Sequence, residues 1–308
     1  CDNRKWLSRR LFIMHIRIGS RASNLALAQT DLVIKTIQSH IDFTYEIIPI
    51  NTTGDKIQDK PLYDVGGKAL FLKELEEALL DNRIDCAIHS MKDVPGQIPN
   101  GLKIAAMLER EDPRDVLLSY KSCNIKDLPQ NAKIGTSSVR RRASLLHLRP
   151  DIEALPIRGN VETRIRKWHE GELDGIILAA AGLKRLGLVN SEFCHPLSLG
   201  EMLPAVGQGV IAIEIRDNDQ KLKDICNLIN HIPTWQTIQA ERGFLEYLDA
   251  DCRTPLAAFA EMKGQEIYAK YMLAGDNMEY YYEDSVVTNA KDAYQTGVAM
   301  GKKFKERR

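Results

Sequence analysis

Residues 133–186, KIGTSSVRRRASLLHLRPDIEALPIRGNVETRIRKWHEGELDGIILAAAGLKRL, decide the fold. Three short apolar runs, at 133–135, 154–157 and 175–178, are each followed by apolar residues at helical spacing, over 139–148, 161–170 and 179–186. Short apolar runs read as buried strands, and repeats at three and four residues read as helices. Strand and helix taking turns give parallel strands joined by crossover helices, the doubly wound α/β arrangement. Toward the N-terminus the same alternation occurs again: strand 16–19, helix 25–37, strand 45–50, helix 69–80 and strand 85–89. Two α/β lobes are therefore expected. Toward the C-terminus, Val210, Ile211, Ala212, Ile213 and Ile215 read as a strand returning to the first lobe. Beyond it, a helix over 234–248, strands 255–260, 267–273 and 280–287, and a helix from Ala290 read as a small α+β domain.

Composition excludes several classes. The 308 residues are 44% apolar and 27% charged, which is the balance of a soluble globular chain rather than a disordered one. The longest apolar run, Ile176 to Leu183, falls well short of the roughly 20 residues that cross a bilayer. Lys plus Arg and Asp plus Glu number 42 each, so no global charge directs the chain to nucleic acid or a membrane, and charge-based function must be local. The six cysteines are scattered, without the close spacing of a metal site, so neither a structural metal nor a disulfide framework is expected. Residues 1–14 are expected to be a disordered extension: they hold Arg4, Lys5, Arg9 and Arg10 but lack the apolar core of a secretory signal.

Local charge is conspicuous at the strand-to-helix junctions, where open α/β sheets bind ligands. Thr136, Ser137 and Ser138 follow one strand, and Arg140, Arg141 and Arg142 fill the next helical turn. Cations there oppose the helix dipole at about 0.3 to 1 kcal/mol each, and an anion at the helix start reverses that sign. The plainer alternative is a helix cap followed by a solvated basic face. Arg158 and Arg164 flank the cap candidate Asn160, Arg21 and Ser23 follow the first strand, and Lys68 follows Gly66 and Gly67. Repetition in a charge-neutral chain points to a crevice for a ligand with several carboxylates or phosphates. Nucleic acid would also call for aromatic platforms and a basic surface. Asp93, in HSMKDVP (89–95), is a candidate acid or base beside Lys92, with a simple turn cap as the alternative; His89 reads as a core histidine. Cys252 lies in a loop beside Arg253, which favours thiolate, against the alternative of an inert small hydrophobe; Cys86 and Cys226 read as core.

Several segments together resemble the hydroxymethylbilane synthase (porphobilinogen deaminase) family. In order they are IGSRASNLALAQ (18–29), VGGKALFLKELEEALL (65–80), HSMKDVP (89–95), EREDPRDVL (109–117), GTSSVRRR (135–142), RGNVETR (158–164), GIILAAAGLKRLGL (175–188) and LPAVGQG (203–209). The resemblance implies two doubly wound lobes like those of periplasmic binding proteins, plus a small α+β C-terminal domain that anchors a cofactor. On that layout lobe one spans 15–113 and 209–228, lobe two 114–208, and the last domain 229–308. It further implies a transferase that joins four porphobilinogen units head to tail into hydroxymethylbilane with release of ammonia, for haem biosynthesis. The primer would be a dipyrromethane cofactor held by a thioether to Cys252, with Asp93 as the catalytic carboxylate. Lys68, Lys92, Thr136, Ser137, Ser138, Arg140 and Arg141 would bind the cofactor, and Arg21, Ser23, Arg158, Arg164 and Gln208 the substrate. A cytoplasmic monomer without metal, nucleic acid or membrane partner is expected. Two features depart from the family pattern: Asp64 stands where a lysine is common, and Ala250-Asp251-Cys252 replaces a Gly-Gly-Cys loop, although Cys252 and Pro255 keep the C-x-x-P spacing. A two-lobed anion-binding protein would need neither Asp93 nor Cys252, and a cysteine hydrolase would need a histidine brought to Cys252 by folding.

Overall fold

The computed structural model describes residues 14–53, 72–251 and 253–307. Lobe one is a five-stranded sheet of β1 (Met14–Arg21), β2 (Phe43–Ile50), β3 (Cys86–Ser90), β4 (Leu102–Met107) and β10 (Ile211–Arg216), in the order β2-β1-β3-β10-β4. β1 runs parallel to β2 and β3, whereas β10 is antiparallel to β3 and β4. Because side chains alternate across a strand, Cys86 and Ile88 face helix α1 (Asn24–Gln38) while Ala87 faces α2 (Lys73–Leu80). Ser23 caps α1 by accepting from the Ala26 amide.

Lobe two repeats the plan with β5 (Asp115–Leu118), β6 (Lys133–Gly135), β7 (Glu153–Leu155), β8 (Gly175–Ala179) and β9 (Cys194–Pro196), ordered β7-β6-β8-β5-β9. Helix α3 (Val139–Leu148) covers one face through Leu145; α4 (Val161–Glu170) and α5 (Ala180–Arg185) cover the other through Trp168 and Leu183. The fourth position in each sheet is filled by a strand arriving from the other lobe: β10 in lobe one and β5 in lobe two. Two crossings, 108–114 and 197–210, therefore join the lobes.

After α6 (Gln220–Ile229), the C-terminal domain packs α7 (Ile232–Tyr247) and α8 (Ala293–Glu306) on an antiparallel sheet of β11 (Leu256–Lys263), β12 (Glu266–Ala274) and β13 (Tyr281–Asn289). Strand β12 turns Ile267, Ala269, Tyr271 and Leu273 toward Phe244 and Phe304. Its Met272 and Ala274, with Phe259, pack instead on Ala143 and Leu203 of lobe two. Arg110 ties this domain to both crossings: its guanidinium grips the fully buried Glu241 at 2.6 and 3.0 Å and donates to the Gln208 carbonyl, while the Gly207 amide also donates to Glu241.

Four elements escape the sequence reading. β9 has three residues and β5 four, and β4, LKIAAM, does not alternate between apolar and polar residues. α6 does carry Leu222, Ile225, Cys226 and Ile229 at helical spacing, and these pack on lobe one. The strand expected at 154–157 runs over 153–155, with Ile157 beyond it bonded to the Ser137 side chain. The start of the helix expected over 69–80 and the N-terminal segment 1–13 lie outside the described residues, and α2 runs from Lys73.

Candidate functional site

Strand β3 ends in a single turn, Met91–Asp93, that carries Lys92 and Asp93 into the space between the lobes. Several contacts set its place. The Met91 amide donates to the Val210 carbonyl at 2.9 Å, and Arg242 of α7 donates to the carbonyls of Pro95 and Gly96 just beyond the turn. Gly207 and Gly209, at φ +70° and +92°, let the returning crossing pass close by. A Cβ on Gly207 would lie 2.6 Å from Met91 Cγ, and one on Gly209 would lie 2.4 Å from the Glu111 carbonyl. Neither the Asp93 carboxylate nor the Lys92 ammonium makes a hydrogen bond or ion pair among the described residues.

On the facing wall the first turn of α3 is organised by an anion that sequence reasoning missed. Asp115, fully buried at the start of β5, accepts from Arg140 at 2.7 Å and from Arg141 at 2.7 and 3.1 Å. Arg140 also donates to the Leu203 carbonyl, Arg141 to the Ile177 carbonyl, and Gln208 to Asp115 at 3.0 Å. This corrects both readings of the arginine run: Arg140 and Arg141 are not a solvated face, and the anion relieving their conflict with the helix dipole is internal. Only Arg142 is exposed, donating to the Asp276 carbonyl. Burial opposes ionisation of Asp115, yet the charges and hydrogen bonds of the two arginines hold it well below the usual carboxylate range.

The hydroxyls are likewise engaged in shaping the loop. Ser138 caps α3 through the Arg141 amide, Thr136 accepts from the Ser138 amide, and Ser137 bonds both polar groups of the Ile157 backbone. Asn160 caps α4, after which Arg164 donates from Nε to the Gly159 carbonyl, leaving its terminal nitrogens unbonded among the described residues.

The remaining charges meet in the crevice. Lys92 keeps surface open to it but is ringed by protein. That desolvation, joined by Arg141 and Arg140, outweighs the pull of Asp93 and Asp115 and brings its ammonium down to about 8. Arg164 falls to about 10 through desolvation and the neighbouring Arg141 and Arg158, with Asp93 opposing. These groups from both lobes thus share one electrostatic environment. A cavity of about 90 Å³ lies among them, lined by Lys92, Arg141, Arg164 and Arg185 together with Gln29 and Ser90. A smaller one of about 20 Å³ is shared by Arg21, His89 and Asp93. Ser23 and Gln208 serve the α1 cap and Asp115 rather than either cavity, and Lys68, Asp64 and Cys252 lie outside the described residues. Gln29, Ser90, Arg185 and Asp115 went unassigned in the sequence. Asp115 alone left a signal, a charge opening an apolar run.

The Lys92 ammonium and the terminal nitrogens of Arg164, unbonded among the described residues, fit a group bearing carboxylates. Among the described residues no cluster of His, Cys, Asp and Glu is arranged to hold a metal, and no helix is long and apolar enough to cross a membrane.

Comparison with known proteins gives two kinds of likeness. Two solved structures overlay part of the chain: a periplasmic binding protein of high arginine specificity from Salmonella typhimurium (14% identity, TM-score 0.41, 70% of this chain and 92% of that one) and the OxyR2 regulatory domain from Vibrio vulnificus (14%, 0.43, 70% and 95%). Porphobilinogen deaminases are far closer in sequence. That of Rickettsia akari is 53% identical over 294 residues, covering 94% of this chain and 97% of the relative; that of Rickettsia prowazekii is 52% identical over 292, covering 94% and 98%. The family model described as "Porphobilinogen deaminase, dipyromethane cofactor binding domain" matches residues 16–224, and that of the "Porphobilinogen deaminase, C-terminal domain" matches 235–306. With both models matched in order and more than half of the residues shared with these relatives, the chain belongs to the porphobilinogen deaminase family.

Proposed function

We propose that this chain joins four porphobilinogen units head to tail into hydroxymethylbilane, releasing ammonia at each addition, on a dipyrromethane held through Cys252. The family is a transferase of tetrapyrrole biosynthesis with porphobilinogen as its substrate, and residues 16–224 match its cofactor-binding domain. The observation that carries the finer reading is the Asp93 carboxylate, unbonded among the described residues, at the crevice between cationic groups of both lobes.

In this reading Asp93 accepts and returns protons and stabilises positive charge on the reacting ring, in an enclosed site where charge acts more strongly than in water. Lys92, Arg158 and Arg164 hold the acetate and propionate groups, with Arg21 approaching from the lobe-one side. Arg guanidinium forks suit carboxylates, which bind them through two parallel hydrogen bonds. Arg140, Arg141, Thr136, Ser137, Ser138 and Gln208 act by keeping that wall in shape; Ser23 sets α1, and Lys68 supplies a further cation to the cofactor. When bound, the dipyrromethane supplies the carboxylates that the cations hold and the pyrrole that primes the chain. Cys252 is its anchor, supported by the C-x-x-P spacing in a domain docked against both crossings.

Intact mass tests this directly. The purified protein should be heavier than its chain by two linked pyrroles, and Cys252→Ser should lose that increment and activity while Cys226→Ser, in the lobe-one core, keeps both. An adduct that survives in Cys252→Ser overturns the anchor.

A further inference from the structure

On the α2-covered face of lobe one, three buried titratable side chains meet: Glu76 from α2, His89 from β3 and Glu214 from β10. His89 Nε2 lies 2.8 Å from Glu214 Oε2. Register explains the meeting, since His89 pairs with Ala212 and Ala87 with Glu214, which puts His89 and Glu214 diagonally on one face of neighbouring strands. The other oxygens, Glu76 Oε1 and Glu214 Oε1, are buried without a hydrogen-bond partner among the described residues. Leaving two carboxylate oxygens buried and unsatisfied is costly, and a retained proton lowers that cost by turning an acceptor into a donor. Desolvation first, then the charge of Glu214, lift Glu76 to about 7; His89 pulls the other way, and Glu77 of α2 pushes weakly upward. Glu76 therefore gains or loses its proton near neutrality.

A second observation connects it to the reaction. The cavity of about 20 Å³ has His89 on its lining and Asp93 on the same lining, with Arg21, Gln29 and Ser90. About 10 to 15 Å³ suffices for one water, so a single molecule can bridge the histidine and the carboxylate. His89 is thus bonded to Glu214, feels the charge of Glu76, and shares a cavity lining with Asp93.

We infer that Glu76, Glu214 and His89 form a proton relay that resets Asp93 between additions, acting as positioning residues that hold protons without touching substrate. The inference rests on Asp93 carrying the chemistry, as proposed above. Each addition breaks the C–N bond of the substrate's protonated aminomethyl group, the electron pair leaving on nitrogen as ammonia. A C–C bond forms to a pyrrole carbon, and the hydrogen on that carbon leaves as a proton. Ammonia and proton together make ammonium, with nothing oxidised or reduced. Asp93 takes the proton from carbon and passes it through the cavity water to His89 and the glutamates, which return it by the same water to the ammonia as ammonium, so that Asp93 is ionised and the relay empty for the next unit.

The relay works only while it has room for a proton, so turnover of the holoenzyme rises with pH through about 7. Glu76→Gln has the same size but cannot exchange that proton. It should erase this rise and lower kcat at high pH by about 10², the lower end for a proton-transfer group, with KM little changed. Glu76→Asp should restore part of the pH dependence. Independently of turnover, infrared spectra of the wild-type holoenzyme should show a protonated carboxyl band that vanishes with a midpoint near 7 and is absent in Glu76→Gln. A Glu76→Gln enzyme with its cofactor confirmed by mass and an unchanged pH profile overturns the relay. So does the lack of any carboxyl band titrating near neutrality. If the wild-type protein forms no hydroxymethylbilane, the functional reading fails instead, and the band still reports on the cluster.

Discussion

On the lobe-two wall of the crevice Arg140 and Arg141 are buried against Asp115, whereas on the lobe-one wall Lys92 and Asp93 face the crevice with no bond to another described residue. The two walls are rich in charge for different reasons. Asp115 converts a helix start crowded with cations into a rigid strut, because two guanidinium groups are tied to one carboxylate and to backbone carbonyls. Lys92 and Asp93 are instead held by their backbone, through Met91, Val210 and the Arg242 contacts, so their side chains remain available. Within one crevice, then, a cation can be structural or functional. What separates the two is whether an internal anion has already neutralised it.

The comparison can be broken most sharply at Asp93. Asp93→Asn should lower turnover by about 10² to 10⁴ while leaving the unfolding midpoint within error, since no described residue makes a hydrogen bond or ion pair with its carboxylate. Turnover near that of the wild type, with the cofactor present by mass, would remove Asp93 from the chemistry. Asp115→Asn should behave in the opposite way. It leaves Arg140 and Arg141 buried with too little negative charge and should cost about 3 to 5 kcal/mol in urea denaturation. The same carboxyl shapes the acid limb: held below its unfolded value, it contributes stability that is in place above about pH 4 and lost as the pH falls further. An Asn variant as acid-sensitive as the wild type would place that stability elsewhere.

A smaller effect sharpens the role of Lys92. With its ammonium brought down to about 8, the crevice loses a cation as the pH climbs past that value. KM for the carboxylated substrate should then rise by about tenfold, the worth of a weak charge-assisted hydrogen bond, and Lys92→Arg should delay the rise. A KM that is flat from pH 7 to about 10 would show that Lys92 binds no carboxylate. The smallest change is expected at Ser138→Ala, which removes the α3 cap for about 1 kcal/mol. Arg140 and Arg141 should stay on Asp115, so kcat should hardly move; a large loss of kcat would mean that the Ser138 hydroxyl touches the reacting groups.

Much of this architecture is legible along the chain. Residues 133–186 announce three strands and three helices because each element buries its own apolar face, and α3 and α4 match their expected spans residue for residue. The caps at Ser23, Ser138 and Asn160 are equally local, a hydroxyl or amide oxygen meeting an amide three residues on. β5 was missed because four residues buried on both faces carry no alternation. The Lys92-Asp93 turn was identified through the strand before it and the proline after it, both within four residues.

The sequence by itself determined the alternation of strands and helices, the capped helix starts, the absence of a global charge and the clustering of basic residues at the junctions. All of these depend on neighbours a few residues apart. Tertiary structure alone decided which basic groups are neutralised. Asp115 lies 25 and 26 residues from the arginines it holds, and Glu214 lies 125 residues from His89. Such pairs form because a strand from one lobe crosses into the sheet of the other, or returns from it, and periodicity along the chain carries no trace of which strand will lie beside which. The charge state of Glu76 has the same origin: its protonation near neutrality arises from burial and from Glu214, a partner that only the packed sheet brings within reach.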